Sequence, residues 1–156
     1  MKQISYYILE RLHINKDTGN HNHYNYHPKT RFELKELIDK LIKERGNDAN
    51  LNDIDTSEIT DMNYMFADSK FNGDISNWDV SNVENMNYMF GNSKFTGENG
   101  DISQWDVSNV EYMSYMFKHS KFNGDISKWD VSNVKDMGEM FNESPLEKNP
   151  PKWYKY

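Results

Sequence analysis

One nine-residue phrase, Ile-Ser-x-Trp-Asp-Val-Ser-Asn-Val, constrains this chain more than any other feature. It begins at Ile75, Ile102 and Ile126, and each copy continues into a Met-x-x-Met-Phe run. A degenerate earlier copy begins at Leu51, so the copies start 24, 27 and 24 residues apart. Self-similarity at a nearly fixed period indicates units that stack on one another and share one continuous core. The longer step holds an insertion at 98–100, which we place in a loop outside that core.

Each unit divides into two halves with different periodicity. In the first half Trp78 and Val80 share one parity and Asp79 the other, which predicts a short strand with the tryptophan turned inward. In the second half Ser81 is placed as an N-cap, and the Met-x-x-Met-Phe run covers one third of a helical circumference. One short parallel strand and one short helix per coil predict an α/β repeat solenoid of about four coils, leucine-rich-repeat-like, over residues 51–144.

The longer phrase Phe-Asn-Gly-Asp-Ile-Ser-x-Trp-Asp-Val-Ser-Asn-Val-x-x-Met-x-x-Met-Phe resembles the repeat of the BspA-like leucine-rich-repeat surface proteins. The resemblance covers about residues 51–142 and implies a leucine-rich-repeat-like solenoid with a role in binding or adhesion. Similar short arrays occur in intracellular and phage-encoded proteins, often after a Pro-Lys-Thr-x-x-Glu-Leu stretch. Residues 28–34 resemble that stretch.

The N-terminal third, residues 1–50, is predicted to form a helical cap on the array. Residues 3–13 fit an amphipathic helix that packs on the solenoid or meets a partner or a membrane surface. Residues 30–45 fit a second helix, which Thr30 caps and Gly46 ends. Its apolar stripe comprises Leu34, Leu37, Ile38, Leu41 and Ile42.

The C-terminal segment 145–156 is predicted to end the array, because its prolines cannot donate to another ladder. Its aromatic side chains either fold back over the last coil or remain free as a tail for a partner. The residues concerned are Pro145, Pro150, Pro151, Trp153, Tyr154 and Tyr156.

Composition restricts the classes of partner. A net charge of −7 argues against a nucleic-acid partner, which requires a basic stripe. The longest apolar run, Tyr6 to Leu9, is far too short to span a membrane, and Glu10, Arg11 and His13 interrupt any signal-peptide core. These features predict a cytoplasmic protein, whereas the family resemblance leaves a virion or a cell surface as the alternative.

A histidine-rich loop is the one candidate metal site. His21, His23 and His27 have a spacing that suits a divalent ion. No cysteine accompanies them, and the nearby acids follow no pattern, so a solvated loop is the preferred interpretation. We therefore predict neither a metal nor a cofactor.

Three ladders of equivalent side chains run across the copies. The aspartates of the first ladder would repel one another at a spacing of about 4.8 Å, by roughly 1 kcal/mol even in water. Three alternatives could offset this repulsion: hydrogen bonds from each aspartate to its own turn, a basic partner, or a bound cation such as calcium. This ladder comprises Asp55, Asp79, Asp106 and Asp130.

The second and third ladders are aromatic. Trp78, Trp105 and Trp129 share parity with buried valine positions, which favours a core ladder over a sugar-binding platform. The tyrosines lie opposite the apolar stripe of the predicted helix, where they either cover it or form a protein interface. They are Tyr64, Tyr88, Tyr112 and Tyr115.

These surfaces favour a non-enzymatic protein–protein interaction module whose partner-binding candidates are the aspartate and tyrosine ladders. The alternatives are a carbohydrate-binding or adhesion module, suggested by the aromatic content, and a structural component of a virion or a self-associating assembly. An enzyme is disfavoured, since the carboxylates recur as ladders instead of forming one distinct pair, and the histidines lack a nucleophile partner.

Overall fold

The computed structural model describes residues 24–155. Helix α1 spans Arg31–Arg45, and a 3-10 helix spans Pro145–Glu147. No β-strand occurs within the described range; adjacent repeats are joined there by isolated parallel bridges, such as the one between Asp61 and Asn85. None of the helices in that range is both long and apolar enough to span a bilayer.

Helix α1 lies where the sequence predicts it. The Thr30 hydroxyl accepts the N–H of Glu33 at 3.2 Å, which caps the first turn. At the other end Gly46 has φ +92° and donates its N–H to the carbonyl of Ile42 at 2.8 Å. The helix buries Leu34, Leu37, Ile38 and Leu41, which belong to the same apolar core as the repeats.

The predicted α/β repeat solenoid, with a parallel strand and a helix in each coil, is wrong. Between α1 and the 3-10 helix the described chain forms successive turns, so the leucine-rich-repeat-like architecture does not apply. The central tyrosine of each predicted helix has a positive φ: +56° at Tyr64, +55° at Tyr88 and +60° at Tyr115. A right-handed helix requires a negative φ at every residue, so no helix can pass through these positions.

Backbone hydrogen bonds alternate between neighbouring and local partners along each Met-x-x-Met-Phe segment. Every second residue donates its N–H to a carbonyl of the next repeat: Met62 to Asn85, Tyr64 to Asn87, Phe66 to Met89 and Asp68 to Gly91, at 2.8 to 3.0 Å. The residues between them donate to the carbonyl three positions back, as Met65 does to Met62 at 3.2 Å. The same four-bond junction recurs from 86–92 to 112–118 and from 113–119 to 136–142.

This alternation explains why stacking proceeds without strands. In a parallel ladder, the N–H groups on both sides of a strand bond to neighbouring strands. Here one half of the N–H groups is used inside the turn, so each repeat pairs with the next at alternate residues only. Each repeat is thus a string of turns with its backbone groups largely satisfied, as a buried backbone requires.

Two columns of phenylalanine rings form the centre of the core. Phe66, Phe90, Phe117 and Phe141 stack with centroids 5.5, 5.5 and 5.9 Å apart and with interplanar angles of 2°. A second column, Phe71, Phe95 and Phe122, stacks at 6.4 and 6.0 Å. The second column comes from the Lys-Phe stretch between repeats. Side-by-side columns of this kind fix the repeats in register.

The tryptophans form a buried ladder, which confirms the core interpretation. Trp78, Trp105 and Trp129 are only 4%, 5% and 4% exposed. Each indole N–H donates to a carbonyl of the preceding repeat: to Leu51 at 3.0 Å, to Ile75 at 3.3 Å and to Ile102 at 3.1 Å, respectively. Trp153 continues the ladder, donating to the carbonyl of Ile126 at 2.9 Å, so the C-terminal segment folds back on the last repeat.

Substitution of a central ring tests the phenylalanine column. Phe90→Ala removes a fully buried side chain that stacks on Phe66, Phe95 and Phe117, and we expect it to lower the free energy of unfolding by about 3–5 kcal/mol. Chemical denaturation measures the change.

The matched control is Phe32→Ala, at a side chain that is 64% exposed in α1. We expect a change within about 0.5 kcal/mol, because exposed substitutions rarely matter more. Equal losses for the two variants would contradict the assignment of the core.

Candidate functional site

The aspartate ladder caps turns, as the local hydrogen-bond interpretation predicts, although no helix follows. Each carboxylate accepts the backbone N–H of the serine two positions on, at 3.0 to 3.1 Å, in the pairs Asp55–Ser57, Asp79–Ser81, Asp106–Ser108 and Asp130–Ser132. In the first three pairs the serine hydroxyl donates as well, at 2.6 to 2.7 Å. These bonds explain the recurring aspartate without a ligand.

The same bonds set the charge state of the ladder. The hydroxyl and N–H of Ser108 lower the pKa of Asp106, although the neighbouring charge of Asp130 acts to raise it. At Asp55 burial acts to raise the pKa, but hydrogen bonds from Ser57 and from the His27 ring outweigh it, and the pKa is lowered. Asp55 and Asp106 are therefore anionic at neutral pH.

Of the three histidines in the candidate metal site, the structure describes only His27. His27 Nδ1 lies 3.1 Å from Asp55 Oδ2 and so closes the N-terminal end of the aspartate ladder. His21 and His23 lie outside the described residues. Among residues 24–155 no group of three or more side chains is arranged to hold a metal ion.

An asparagine ladder, which the sequence analysis passed over, ties the repeats together. The side-chain amides of Asn82, Asn109 and Asn133 donate to serine carbonyls of the preceding repeat at 2.8, 2.6 and 2.6 Å. The signal was present in the sequence, since the same asparagine follows the same serine in all three copies. Its role is structural, because each amide links its own repeat to the preceding one.

Three tyrosines form a column on the outside of the stack. The ring centroids of Tyr64 and Tyr88 lie 5.0 Å apart, and those of Tyr88 and Tyr115 lie 6.4 Å apart. Tyr64 is 52% exposed and Tyr115 is 38% exposed. Lys118 Nζ lies 5.0 Å from the centre of the Tyr115 ring and 2.6 Å from Glu139 Oε2. We call Tyr64, Tyr88 and Tyr115 the tyrosine column.

The backbone does not account for tyrosine at these positions. In the first three repeats a second residue also has a positive φ, and it is Asp68, Asn92 or His119, types that occupy this conformation comparatively often, whereas the fourth repeat has Glu143 there. The residues of the tyrosine column also have a positive φ, although tyrosine rarely adopts one. A bulky side chain in this conformation reduces the stability of the fold by about 1–3 kcal/mol. Exposed aromatic side chains kept at such a cost are candidates for a recognition role.

Tyr112 lies apart from the tyrosine column. It is 39% exposed, and its backbone forms the parallel bridges to Asn85 and Asp136. Its ring makes no ring contact with the column. Of the predicted tyrosines, the structure therefore brings three together and separates the fourth.

Comparison with known proteins identifies one family. The family described as "Mycoplasma protein of unknown function, DUF285" matches residues 33–153, from the first turn of α1 to the returning tryptophan. No curated protein matches the chain, and no solved structure matches it. The resemblance to BspA-like surface proteins stays a prediction.

Removing one serine hydroxyl tests the electrostatics of the ladder. Ser108→Ala should raise the pKa of Asp106 toward its ordinary value of 3.8. A lowered folded-state pKa stabilises the fold above pH 3.8, and this contribution disappears as the pH falls through the folded value. We expect the variant to lose less than about 1 kcal/mol at pH 7, since Asp106 is exposed, and to approach the parent near pH 2.

Carboxyl NMR titration and denaturation at the two pH values measure both effects. Ser76→Ala, which acts on Asp74, is the control and should leave the titration of Asp106 unchanged. An unaltered Asp106 titration in Ser108→Ala would contradict the argument.

A second pair of variants tests the backbone at the tyrosine column. Tyr88→Asn should change the melting temperature by no more than a few degrees, because asparagine tolerates φ +55°. Tyr88→Val should lower the free energy of unfolding by about 1–3 kcal/mol, because a β-branched side chain does not tolerate it. Similar melting curves for the two variants would contradict a positive φ at this position.

Proposed function

Since the chain belongs to the DUF285 family, whose description gives no function, we propose from the geometry that it is a non-enzymatic protein-interaction module that binds its partner through the tyrosine column. The observation that carries this proposal is the row of contacting rings of Tyr64, Tyr88 and Tyr115 on the outer surface, at positions where the backbone favours other residues.

The chemistry of the column suits a protein surface. Tyrosine supplies a large apolar ring and a phenolic hydroxyl, and it is enriched where interfaces concentrate their binding energy. Contact with the tilted rings of its two neighbours holds Tyr88 in place, so few rotamers are lost when a partner binds. The ion pair of Lys118 and Glu139 lies beside the tyrosine column. It gives the column a polar border, and protein interfaces commonly have an apolar centre with a polar rim.

The aspartate ladder contributes charge to the proposed function, but it is not its centre. One carboxylate oxygen of Asp79 and of Asp106 accepts both serine bonds, so the other oxygen can meet a basic group of a partner. Such exposed charges act mainly on the association rate and are screened by salt. We therefore assign affinity to the tyrosines and assign steering to the aspartates.

The tryptophans do not support the carbohydrate-binding alternative, because their ring faces are not accessible. Trp105 is 5% exposed and stacks on Phe90 with a centroid distance of 6.5 Å. A sugar platform needs an open ring face. The aromatic surface left for recognition on the repeats is the tyrosine column and Tyr112.

The test begins with affinity capture from lysate of the native host, followed by calorimetry with the purified partner. Tyr64→Asn and Tyr115→Asn should each weaken binding by about 2 kcal/mol or more, roughly thirtyfold, with little loss of stability. Tyr112→Asn is the matched control, an exposed tyrosine outside the column, and should bind like the parent.

The outcome can contradict the proposal in two ways. Unchanged affinity in both column variants would remove the tyrosine column from the interface. Loss of binding in Tyr112→Asn alone would move the interface to the neighbourhood of Tyr112.

A further inference from the structure

Within the described residues, the fourth repeat has backbone donors that meet no further repeat. At the three earlier junctions, alternate N–H groups bond to the following repeat. The equivalent donors of the last repeat make no hydrogen bond within residues 24–155, although their neighbours Met140, Asn142 and Ser144 complete the local turns. The unpaired donors are the N–H groups of Met137, Glu139, Phe141 and Glu143. We call these four groups the donor edge.

An apolar strip adjoins the donor edge. Val107, Val110 and Met113 of the third repeat are at most 1% exposed, because the fourth repeat covers them. Their equivalents in the fourth repeat are only partly buried, and they are Val131, Val134 and Met137. The returning segment covers Phe141 through Trp153 and Tyr154. A cavity of about 270 Å³ remains, lined by Gly138, Glu139, Phe141, Asn142, Glu147 and Tyr154.

The surroundings of the donor edge are acidic. Asp136, Glu139, Glu143 and Glu147 all belong to this end of the chain. Lys118 pairs with Glu139, and His119 lies 3.0 Å from Glu143. Within residues 24–155 no ion pair is formed by Asp136 or Glu147, so an incoming segment with a basic side chain is favoured.

We propose that the donor edge is a second binding site, which takes an extended segment of a partner protein as though it were a fifth repeat. The occupant offers backbone carbonyls at alternate residues to the four donors. It carries apolar side chains for the strip of Val131, Val134 and Met137 and a basic side chain for the acidic rim. Addition of a backbone segment to an open edge is an established mode of peptide recognition.

The earlier junctions define what fits this edge. At each of them the occupant is a peptide segment whose alternate carbonyls accept N–H donors at 2.7 to 3.0 Å, while its methionines enter the core. The donor edge has the same residue pattern as those junctions, and its alternate N–H groups need the same acceptors. The contacts at these internal junctions therefore define the chemistry that we expect of the occupant.

A second copy of this chain is a poor occupant. Two donor edges facing each other would oppose N–H to N–H, with no acceptor between them. In a head-to-tail arrangement, the donor edge of one copy would bond to the backbone carbonyls of the first repeat of the next copy. Arg31 of α1 already donates to one of these carbonyls, that of Asn63, at 2.9 Å, and the buried face of α1 covers that end of the stack. A partner with a free segment satisfies both conditions.

Amide hydrogen exchange tests the proposal directly. In the free protein, the N–H groups of Met113, Tyr115 and Phe117 should exchange slowly, and those of the donor edge should exchange fast. The probe is a synthetic peptide of residues 108–120, whose carbonyls fill the junction between the second and third repeats. At about nine-tenths occupancy it should slow exchange of the donor edge about tenfold, with one peptide per chain.

Matched variants separate this site from folding and from the tyrosine column. Met137→Glu should abolish the effect of the peptide, whereas Met137→Leu should retain it, and melting temperatures report whether each variant folds. A peptide carrying Met113→Asp and Met116→Asp should not protect the edge. Tyr64→Asn should leave peptide binding unchanged, so failure of the tyrosine-column proposal and failure of this one are distinguishable.

Three results would overturn the proposal. The first is slow exchange of the donor edge in the free protein, which would show that the edge is already paired. The second is unchanged exchange at millimolar peptide. The third is protection that rises with protein concentration in the absence of peptide, which would assign the edge to a second copy.

Discussion

The fold depends on the division of backbone hydrogen bonds between a repeat and its neighbour. Tyr64 donates to Asn87 in the next repeat, and Met65 donates to Met62 in its own turn. This alternation satisfies nearly every backbone group of the segment, and a buried segment could not persist otherwise. It also requires a positive φ at Tyr64, which excludes a helix. The stacked phenylalanines and the indole ladder then follow from the register that these bonds impose.

The polar residues of the repeated phrase serve the same architecture. The aspartate caps its turn, and the asparagine amide and the tryptophan N–H each donate to a carbonyl of the preceding repeat, as at Asp106, Asn109 and Trp105. Most of the recurring residues therefore have structural partners. The exposed tyrosines do not have such an explanation from the core, and we propose a recognition role for them.

The two ends of the stack differ in a way that affects binding. Helix α1 closes the first end with buried leucines, and its Arg31 binds the carbonyl of Asn63. The other end is closed on one side by Trp153, while the strip at Val131 is partly buried beside N–H groups that have no partner among residues 24–155. The two ends of the described stack therefore differ, and the second binding site that we propose depends on this difference.

The sequence by itself determined the repeat register, helix α1 and the burial of Trp105 and Met113, because composition and spacing fix which side chains avoid water. It also indicated that the tyrosines face outward. Only the tertiary structure decided between a helix and successive turns, since a Met-x-x-Met spacing suits both. The backbone N–H of Tyr88 could bond to a carbonyl of its own segment, as in a helix, but it bonds to the carbonyl of Ser114 in the next repeat. Local periodicity does not encode which of the two carbonyls accepts the bond.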